Sequence, residues 1–315
     1  MRFRTTRRRS RPSIEGGPAR AYSPSMPLTR PFALLAIAAL TLGACGRLPG
    51  QAAAPVFDKA QLEAALDPAV GGPDTCMVID DVRSGAELYR YGAQSVCNRP
   101  LAPCNTFNIP LALIGLDDGK LKPGETWTWD GKAQLYRAWE HDADLGGAWR
   151  SGAGWFFKRL AREIGPERFR RQLSAFGYGQ GAPVGDPESF WQGPAAGGGL
   201  FISTRGQAEF LRKLALGTLP VKPEATRAVQ ALSADLTRGT TALSDLGASC
   251  PSTADATRNV SWWVGRIQGP DASGKPGRDL VFALSIESQN PLPGNEIRSR
   301  ALPIFTRVGL LPAER

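Results

Sequence analysis

The chain has 315 residues, enough for one large domain or two small ones, and a formal net charge of +9. That charge is unevenly distributed, because residues 1–44 contain eight arginines and one glutamate and so carry +7 of it. The remaining +2 is an ordinary surface charge, and the arginine cluster at residues 7–11 has no aromatic residues within it. This pattern argues against a nucleic-acid partner. No phosphate-binding loop or zinc-ligand pattern is present, so we expect no cofactor and no metal.

The first 44 residues have the pattern of an export signal. Met26 is a better start than Met1, because Arg30 then supplies a short positive region ahead of an apolar run that continues to Ala44. This run is too short to span a bilayer comfortably, which favours a signal segment over a transmembrane helix. Residues 1–44 are therefore predicted to be a signal segment.

The sequence Leu42-Gly43-Ala44-Cys45 at the end of that run resembles a bacterial lipobox. The resemblance implies that Cys45 is the lipidated first residue of the mature protein, anchored on the periplasmic side of the envelope. Gly46 is compatible with sorting to the outer membrane. The alternative is an ordinary secretory signal followed by a chance cysteine. Residues 45–57 are then the lipidated N-terminus and a flexible tether.

Residues 58–315 are predicted to form one domain, with strands at both ends and helices between them. Alternating residues at 76–80 and 87–91 predict a β-hairpin, and apolar strands follow later at 261–267 and 280–286. Helical apolar spacing covers 155–163, 167–176, 207–216 and, with an interruption at Pro303, 297–310. This order predicts an α+β fold. A central antiparallel sheet from both chain ends is flanked by helices, with an inserted all-helical subdomain.

The segment Pro103-Cys104-Asn105-Thr106-Phe107-Asn108-Ile109-Pro110 carries a resemblance to a known family. It is similar to the nucleophile helix of class D β-lactamases, penicillin-recognising serine hydrolases whose motif reads Ser-Thr-Phe-Lys-Ile-Pro. In that family the lysine lies three residues after the serine on one helix face and can take its proton. Asn105 and Asn108 stand at these two positions. A carboxamide is neither a useful nucleophile nor a base near pH 7.

Other segments extend the resemblance over roughly residues 76–311. They are Trp129-Asp130-Gly131, Trp139-Glu140-His141-Asp142, the stretch 157–165, Phe176-Gly177-Tyr178-Gly179 and Trp262-Trp263-Val264-Gly265. The resemblance implies the β-lactamase/transpeptidase-like fold. It also implies that the double tryptophan lies on the strand next to the one that carries the family's Lys-Thr-Gly motif.

Two further motifs of the family are replaced as well. The Ser-x-Val serine, which relays protons, aligns with Gly152, and Ser151 lies one residue early, so it would face elsewhere on a helix. Lys-Thr-Gly, which holds the substrate carboxylate, aligns with Asp245-Leu246-Gly247 and keeps only the glycine. Aspartate in place of lysine would turn attraction for a carboxylate about 4 Å away into repulsion of roughly 4 kcal/mol at an effective dielectric near 20.

Two residues remain as candidates for ligand binding. The resemblance aligns Trp191 with the tryptophan that supports the modified lysine of class D enzymes. It aligns Arg298, or Arg300 on a small shift, with the arginine that binds the substrate carboxylate. The alternatives are that Trp191 is a core packing residue and that both arginines lie on a solvated helix face.

Export would permit disulfides among the four cysteines after Cys45, which allow three pairings: Cys76, Cys97, Cys104 and Cys250. Some class D members share the seven-residue step between Cys97 and Cys104, so the resemblance implies that pair. A free Cys104 as substitute nucleophile is the alternative. The sequence offers its thiol no cation at i+3 or i+4, and His141 is the single histidine.

The resemblance therefore implies a penicillin-binding-type envelope lipoprotein that has lost β-lactam hydrolysis. Such a protein would bind a β-lactam, peptidoglycan or another envelope protein without turnover. The alternative is an active β-lactam or peptide hydrolase with relocated catalytic residues, using Ser151, Cys104 or Thr106. A β-lactam sensor is a third possibility, but sensors need covalent acylation, and Asn105 argues against it.

Overall fold

A computed structural model describes residues 57–232, 234–270, 276–290 and 292–313. The predicted signal segment, Cys45 and the tether as far as residue 56 lie outside these ranges. Within them, no helix is both long enough and apolar enough to cross a bilayer.

Six antiparallel strands form one sheet. In chain order they are β1 (Thr75–Asp81), β2 (Glu87–Tyr91), β3 (Ala234–Arg238), β4 (Thr241–Pro251), β5 (Asn259–Pro270) and β6 (Pro276–Ser288). Their order across the sheet is β2-β1-β6-β5-β4-β3, so the first strand lies beside the last. The predicted sheet built from both chain ends is confirmed. The double tryptophan lies on β5, and Trp263 pairs with Gly247 on β4, as the resemblance implied.

Helices cover both faces of the sheet. One face packs against α1 (Lys59–Val70) and α9 (Gly294–Arg307), around a core that includes Trp263, Phe282 and Phe305. The other face packs against the helices that the chain forms between β2 and β3. These are α2 (Gln94–Cys97), α3 (Asn108–Asp117), α4 (Leu145–Ser151), α5 (Gly154–Ile164), α6 (Pro166–Phe176), α7 (Thr204–Leu216) and α8 (Pro223–Leu232).

Helix α9 departs from its prediction at both ends and in the middle. It begins at Gly294, ends at Arg307, and continues through Pro303 instead of being interrupted there. A proline in a helix removes one backbone hydrogen bond and is unfavourable by about 3 kcal/mol. Ala301, Ile304 and Phe305 are buried against the sheet. Their burial offsets that cost, because a fully buried large apolar side chain contributes about 1.5–3 kcal/mol.

The predicted disulfide between Cys97 and Cys104 is wrong. Cys76 on β1 is bonded to Cys97 at the end of α2, with a Cα–Cα distance of 5.2 Å; we call this the β1 disulfide. Cys104 is bonded to Cys250 on β4 across 5.6 Å; we call this the β4 disulfide. Closeness in sequence misled the prediction, because the packing of the segment before α3 against β4 joins cysteines that are 146 residues apart.

Candidate ligand-binding cleft

An open cleft of about 980 Å³ lies beside the start of the helix that the sequence singled out. Its lining includes Asn105, Gln192 and Ser249, from three separate parts of the chain. The opposite wall comes from α5 and from the loop around Tyr136. The resemblance aligns five residues with the family's catalytic motifs: Asn105, Asn108, Gly152, Asp245 and Gly247. Of these five, Asn105 lines this cleft.

Asn105 lies in a single 3₁₀ turn, Cys104–Phe107, that leads directly into α3. Its side-chain Oδ1 accepts a hydrogen bond of 2.7 Å from Nε2 of Gln192. The preceding residue, Cys104, has a φ of +50°, an uncommon conformation for a residue with a side chain. The β4 disulfide and the 3.0 Å bond from the Cys104 N–H to the Trp191 carbonyl hold it there. The turn is therefore a fixed part of the cleft wall.

Asn108 and Trp191 lie below the cleft surface. Asn108 is the first residue of α3 and only 5% exposed, and its Oδ1 has no hydrogen-bond partner. Trp191 is buried and stacks on Phe107 with ring centroids 5.3 Å apart, while its Nε1 also lacks a partner. Its contacts support the packing alternative for Trp191. Neither side chain titrates near neutral pH, so neither can accept a proton from a nucleophile.

Asp245 faces away from the cleft, contrary to the expectation that it would repel a ligand carboxylate there. Its side chain is 1% exposed and lies on the α9 face of the sheet. The carboxylate accepts a 2.6 Å bond from Nε1 of Trp263 and a 2.5 Å bond from Nε of Arg298. Nη2 of Arg298 lies 3.3 Å from the second carboxylate oxygen. Arg298 is therefore neither a ligand-binding residue of the cleft nor a freely solvated one, and the pair is mutually neutralised.

The two glycine positions have structural roles. Gly152 ends α4 in the left-handed conformation with φ +71°, and the Ser151 hydroxyl donates back to the Gly147 carbonyl at 2.9 Å. A Cβ on Gly247 would lie 2.1 Å from the carbonyl oxygen of Gly294. Glycine is therefore required where α9 begins against β4.

The α5 wall was missed as a functional element at the sequence level. Phe156, Phe157, Leu160, Ala161 and Ile164 are buried, so the helix presents its other face to the cleft. That face carries Trp155, Lys158, Arg159 and Arg162, spaced i, i+3, i+4 and i+7. The sequence does show that the polar residues of α5 lie on the face opposite its apolar residues. Nothing in the sequence indicated that this polar face lines a cavity.

The carboxylates of the cleft are already paired. Arg162 forms a two-pronged ion pair with Glu188 at 2.7 and 2.8 Å, and this contact lowers the Glu188 pKa below its ordinary value. Asp130 lies 3.2 Å from the Lys132 ammonium. Arg159 stacks over the ring of Trp127 at 4.6 Å. Within the described residues no carboxylate lies within ion-pair distance of Lys158.

Two indoles of the cleft wall are held by hydrogen bonds to backbone carbonyls. Nε1 of Trp139 donates to the carbonyl of Ser151 at 2.7 Å, and Nε1 of Trp155 donates to the carbonyl of Trp139 at 2.7 Å. Tyr136 packs edge-on against Trp139 with ring centroids 4.8 Å apart and is itself 57% exposed. The wall therefore presents aromatic groups in fixed positions. Across the described ranges, no group of histidine, cysteine and carboxylate side chains is arranged to hold a metal.

Comparison with known proteins assigns the chain to a family. Residues 75–265 match the penicillin binding protein transpeptidase domain. The chain belongs to this family. It is 33% identical to β-lactamase OXA-5 of Pseudomonas aeruginosa over 196 residues, which are 62% of this chain and 70% of that protein. It is 35% identical to β-lactamase OXA-10 of the same organism over 195 residues, 60% of this chain and 67% of that protein.

Solved structures agree with the sequence relatives. The BPu1 β-lactamase shares 25% identity and a TM-score of 0.67, with 79% of this chain and 98% of that one covered. The class D β-lactamase from Bacillus subtilis gives 25% identity and a TM-score of 0.66, over 79% of this chain and 97% of that one. The predicted family resemblance and α+β fold class are confirmed. Asn105, which the resemblance aligns with the family's nucleophile, is the second residue of the turn Cys104–Phe107, and the α5 wall lines the same cleft.

Proposed function

We propose that this protein is a class D β-lactamase-like envelope protein that binds a ligand in its cleft without forming a covalent acyl intermediate. The observation that carries the proposal is the chemistry of the turn Cys104–Phe107 and the start of α3, which we call the nucleophile turn because the resemblance aligns it with the family's nucleophile. The group at the nucleophile position is the amide of Asn105, engaged by Gln192, and the group three residues on is the buried amide of Asn108. Neither can attack a carbonyl or take up a proton at neutral pH.

The environments of three alternative nucleophiles argue against relocated chemistry. The Ser151 hydroxyl is bonded to its own helix. Cys104 is buried in the β4 disulfide and has no thiol to offer. Thr106 is fully buried; its hydroxyl donates to the Pro103 carbonyl at 2.6 Å and accepts from Gln207 at 2.6 Å. A nucleophile must be accessible and paired with a base, and these three groups are not.

Ser249 and Lys158 are the stronger candidates for a relocated nucleophile and base, because the hydroxyl-bearing and the amine-bearing residue both line the cleft. In the ranges that the structure covers, no lysine ammonium is hydrogen-bonded to a hydroxyl group; those of Lys213 and Lys222 bond to backbone carbonyls. Activation of a serine needs its base within about 2.6–3.2 Å. The proposal of a binding protein is favoured for this reason.

We also propose that the protein is exported and anchored by a lipid at Cys45, on the periplasmic side of the envelope and in the outer membrane. The β1 and β4 disulfides support export, because disulfides persist in oxidising compartments and are rare in the cytosol. Globomycin treatment tests this: a lipoprotein precursor accumulates and membrane association is lost. Cys45→Ser is expected to give the same loss of membrane association.

The test of function is incubation of the purified protein with a fluorescent penicillin and with nitrocefin. We expect no increase in intact mass and no nitrocefin turnover above a buffer blank. A class D β-lactamase such as OXA-10 is the positive control for both measurements. A mass increase equal to one penicillin, or turnover that Ser249→Ala abolishes, would establish the hydrolase alternative and disprove the proposal.

A further inference from the structure

The charges around the cleft are distributed unequally between its walls. Four basic side chains line it, namely Lys132, Lys158, Arg159 and Arg162, against the two carboxylates Asp130 and Glu188. Both carboxylates are already paired, with Lys132 and Arg162. The positive charge that remains lies on the α5 wall, at Lys158 and at Arg159, whose guanidinium stacks on Trp127 and donates to the Thr128 carbonyl at 3.3 Å. A cleft lined by one sign of charge concentrates ligands of the opposite sign.

The sheet side of the cleft does not offer an equivalent anion site. The strand position at which the family has its carboxylate-binding lysine holds Asp245, which points to the opposite face. The guanidinium of Arg298 is bound to that carboxylate. A ligand anion would have to compete with a buried charge that makes three hydrogen bonds.

Lys158 has the properties of an anion anchor. It lies on the exposed face of α5, three residues after Trp155, on the same side of the helix. Within the described residues no carboxylate lies within ion-pair distance of its ammonium group. The rigid indoles of Trp139 and Trp155 beside it provide apolar surface that needs no ordering when a ligand binds.

We propose that the ligand of this cleft is a carboxylate-bearing molecule whose anion binds Lys158 and Arg159 on α5, while its non-polar part packs on Trp155 and Trp139. Anion recognition has thus moved from the sheet edge to the helical wall. The inference rests on the proposed non-covalent function of the same cleft. A β-lactam and a muropeptide both supply such a carboxylate, and the two are separated by using each as a probe.

The experiment is isothermal titration calorimetry of the purified protein with benzylpenicillin and, separately, with N-acetylmuramyl-L-alanyl-D-isoglutamine. Lys158→Gln is expected to weaken binding of the true ligand class by roughly tenfold or more, the usual scale for one hydrogen bond to a charged group. Lys59→Gln, on the exposed surface of α1 across the sheet, removes the same charge and is expected to leave the affinity unchanged. Both positions are exposed, so both variants are expected to fold.

The outcomes are distinct. Equal affinities of Lys158→Gln, Lys59→Gln and the parent protein would overturn the assignment of the anion to α5, as would the absence of binding of both probes at millimolar concentration. Weakening with one probe alone assigns the ligand to that class. Intact mass is recorded after each titration, because a covalent adduct would disprove the proposed function itself, whatever the effect of Lys158→Gln.

Discussion

Replacing Asp245 by alanine tests the ion pair that joins β4 to α9. The variant leaves the Arg298 guanidinium and the Trp263 indole N–H without their acceptor. Removing one partner of a buried ion pair is typically destabilising by about 3–5 kcal/mol. Arg298 is still 29% exposed on its side chain and can regain some hydration, so we expect the lower end, about 3 kcal/mol.

The assay is urea denaturation followed by tryptophan fluorescence, with Glu296→Ala as the matched control. Glu296 pairs with Arg300 on the same helix, but their side chains are 41% and 45% exposed. An exposed pair contributes at most about 1 kcal/mol, so the control is expected to change little. Equal unfolding free energies for the two variants would refute the buried ion pair.

Asp245→Lys is a more severe test of this ion pair, because it places at position 245 the lysine that the resemblance aligns there. If the side chain keeps its direction, two cations face each other on the α9 side. At about 4 Å and an effective dielectric near 20 their repulsion is roughly 4 kcal/mol, in addition to the lost attraction. We expect a stronger loss of stability than in Asp245→Ala and no gain of hydrolysis. A stable Asp245→Lys protein would show that this side chain can turn into the cleft.

The remaining predictions concern the nucleophile turn, the disulfides and acid stability. Asn105→Ser combined with Asn108→Lys is expected to give no nitrocefin turnover, because the proton-relay serine and the strand lysine are still missing; turnover would show that those two motifs are misaligned. Removing the β4 disulfide by Cys104→Ser and Cys250→Ser is expected to lower the unfolding free energy by about 5 kcal/mol, against about 3 kcal/mol for the β1 disulfide, because the loop that it closes is longer (146 against 21 residues). Equal losses in urea denaturation would contradict that reasoning. The hydrogen bond from Arg99 holds the Asp74 pKa below its ordinary 3.8. Asp74 therefore stabilises the fold fully above pH 3.8 and loses this effect as pH falls through the lowered pKa, so Asp74→Asn is expected to flatten the acid limb of a stability–pH curve.

Strands β1, β2, β5 and β6 and helices α5, α6 and α7 could be predicted from the sequence because their periodicity is strong, whereas β3, α1, α2, α4 and α8 were not predicted. The strand predicted over 87–91 matches β2, and the helix predicted over 155–163 is α5 with one further residue at each end. The prediction of helix α9 was less accurate. A proline normally interrupts a helix, but burial against the sheet keeps α9 continuous through Pro303. Local propensity is a weak prior when packing opposes it.

The directions of the candidate site's side chains could not be predicted from the sequence. Asn105, which the resemblance singled out, does line the cleft, but the resemblance could not tell which face of the sheet the Asp245 side chain would take. On a strand, a shift of one residue moves a side chain to the other face, and β4 has no clear apolar alternation around Asp245 to fix it. The disulfide pairing failed for a related reason, since it depends on contacts between distant parts of the chain.

The residues at the aligned catalytic positions and the open cavity beside them both bear on whether the cleft binds a ligand. The positions that the resemblance aligns with the family's catalytic groups hold Asn105 and Asn108 around the start of α3, Gly152 after α4 and Asp245 on β4. The cavity nevertheless remains open, with Leu135 and Tyr136 80% and 57% exposed at its wall and two indoles held in place. Exposed apolar side chains of this kind contribute little to folding, and clusters of them mark binding surfaces. Fixed indoles and exposed apolar side chains around an open cavity therefore support the proposal that the cleft binds a ligand.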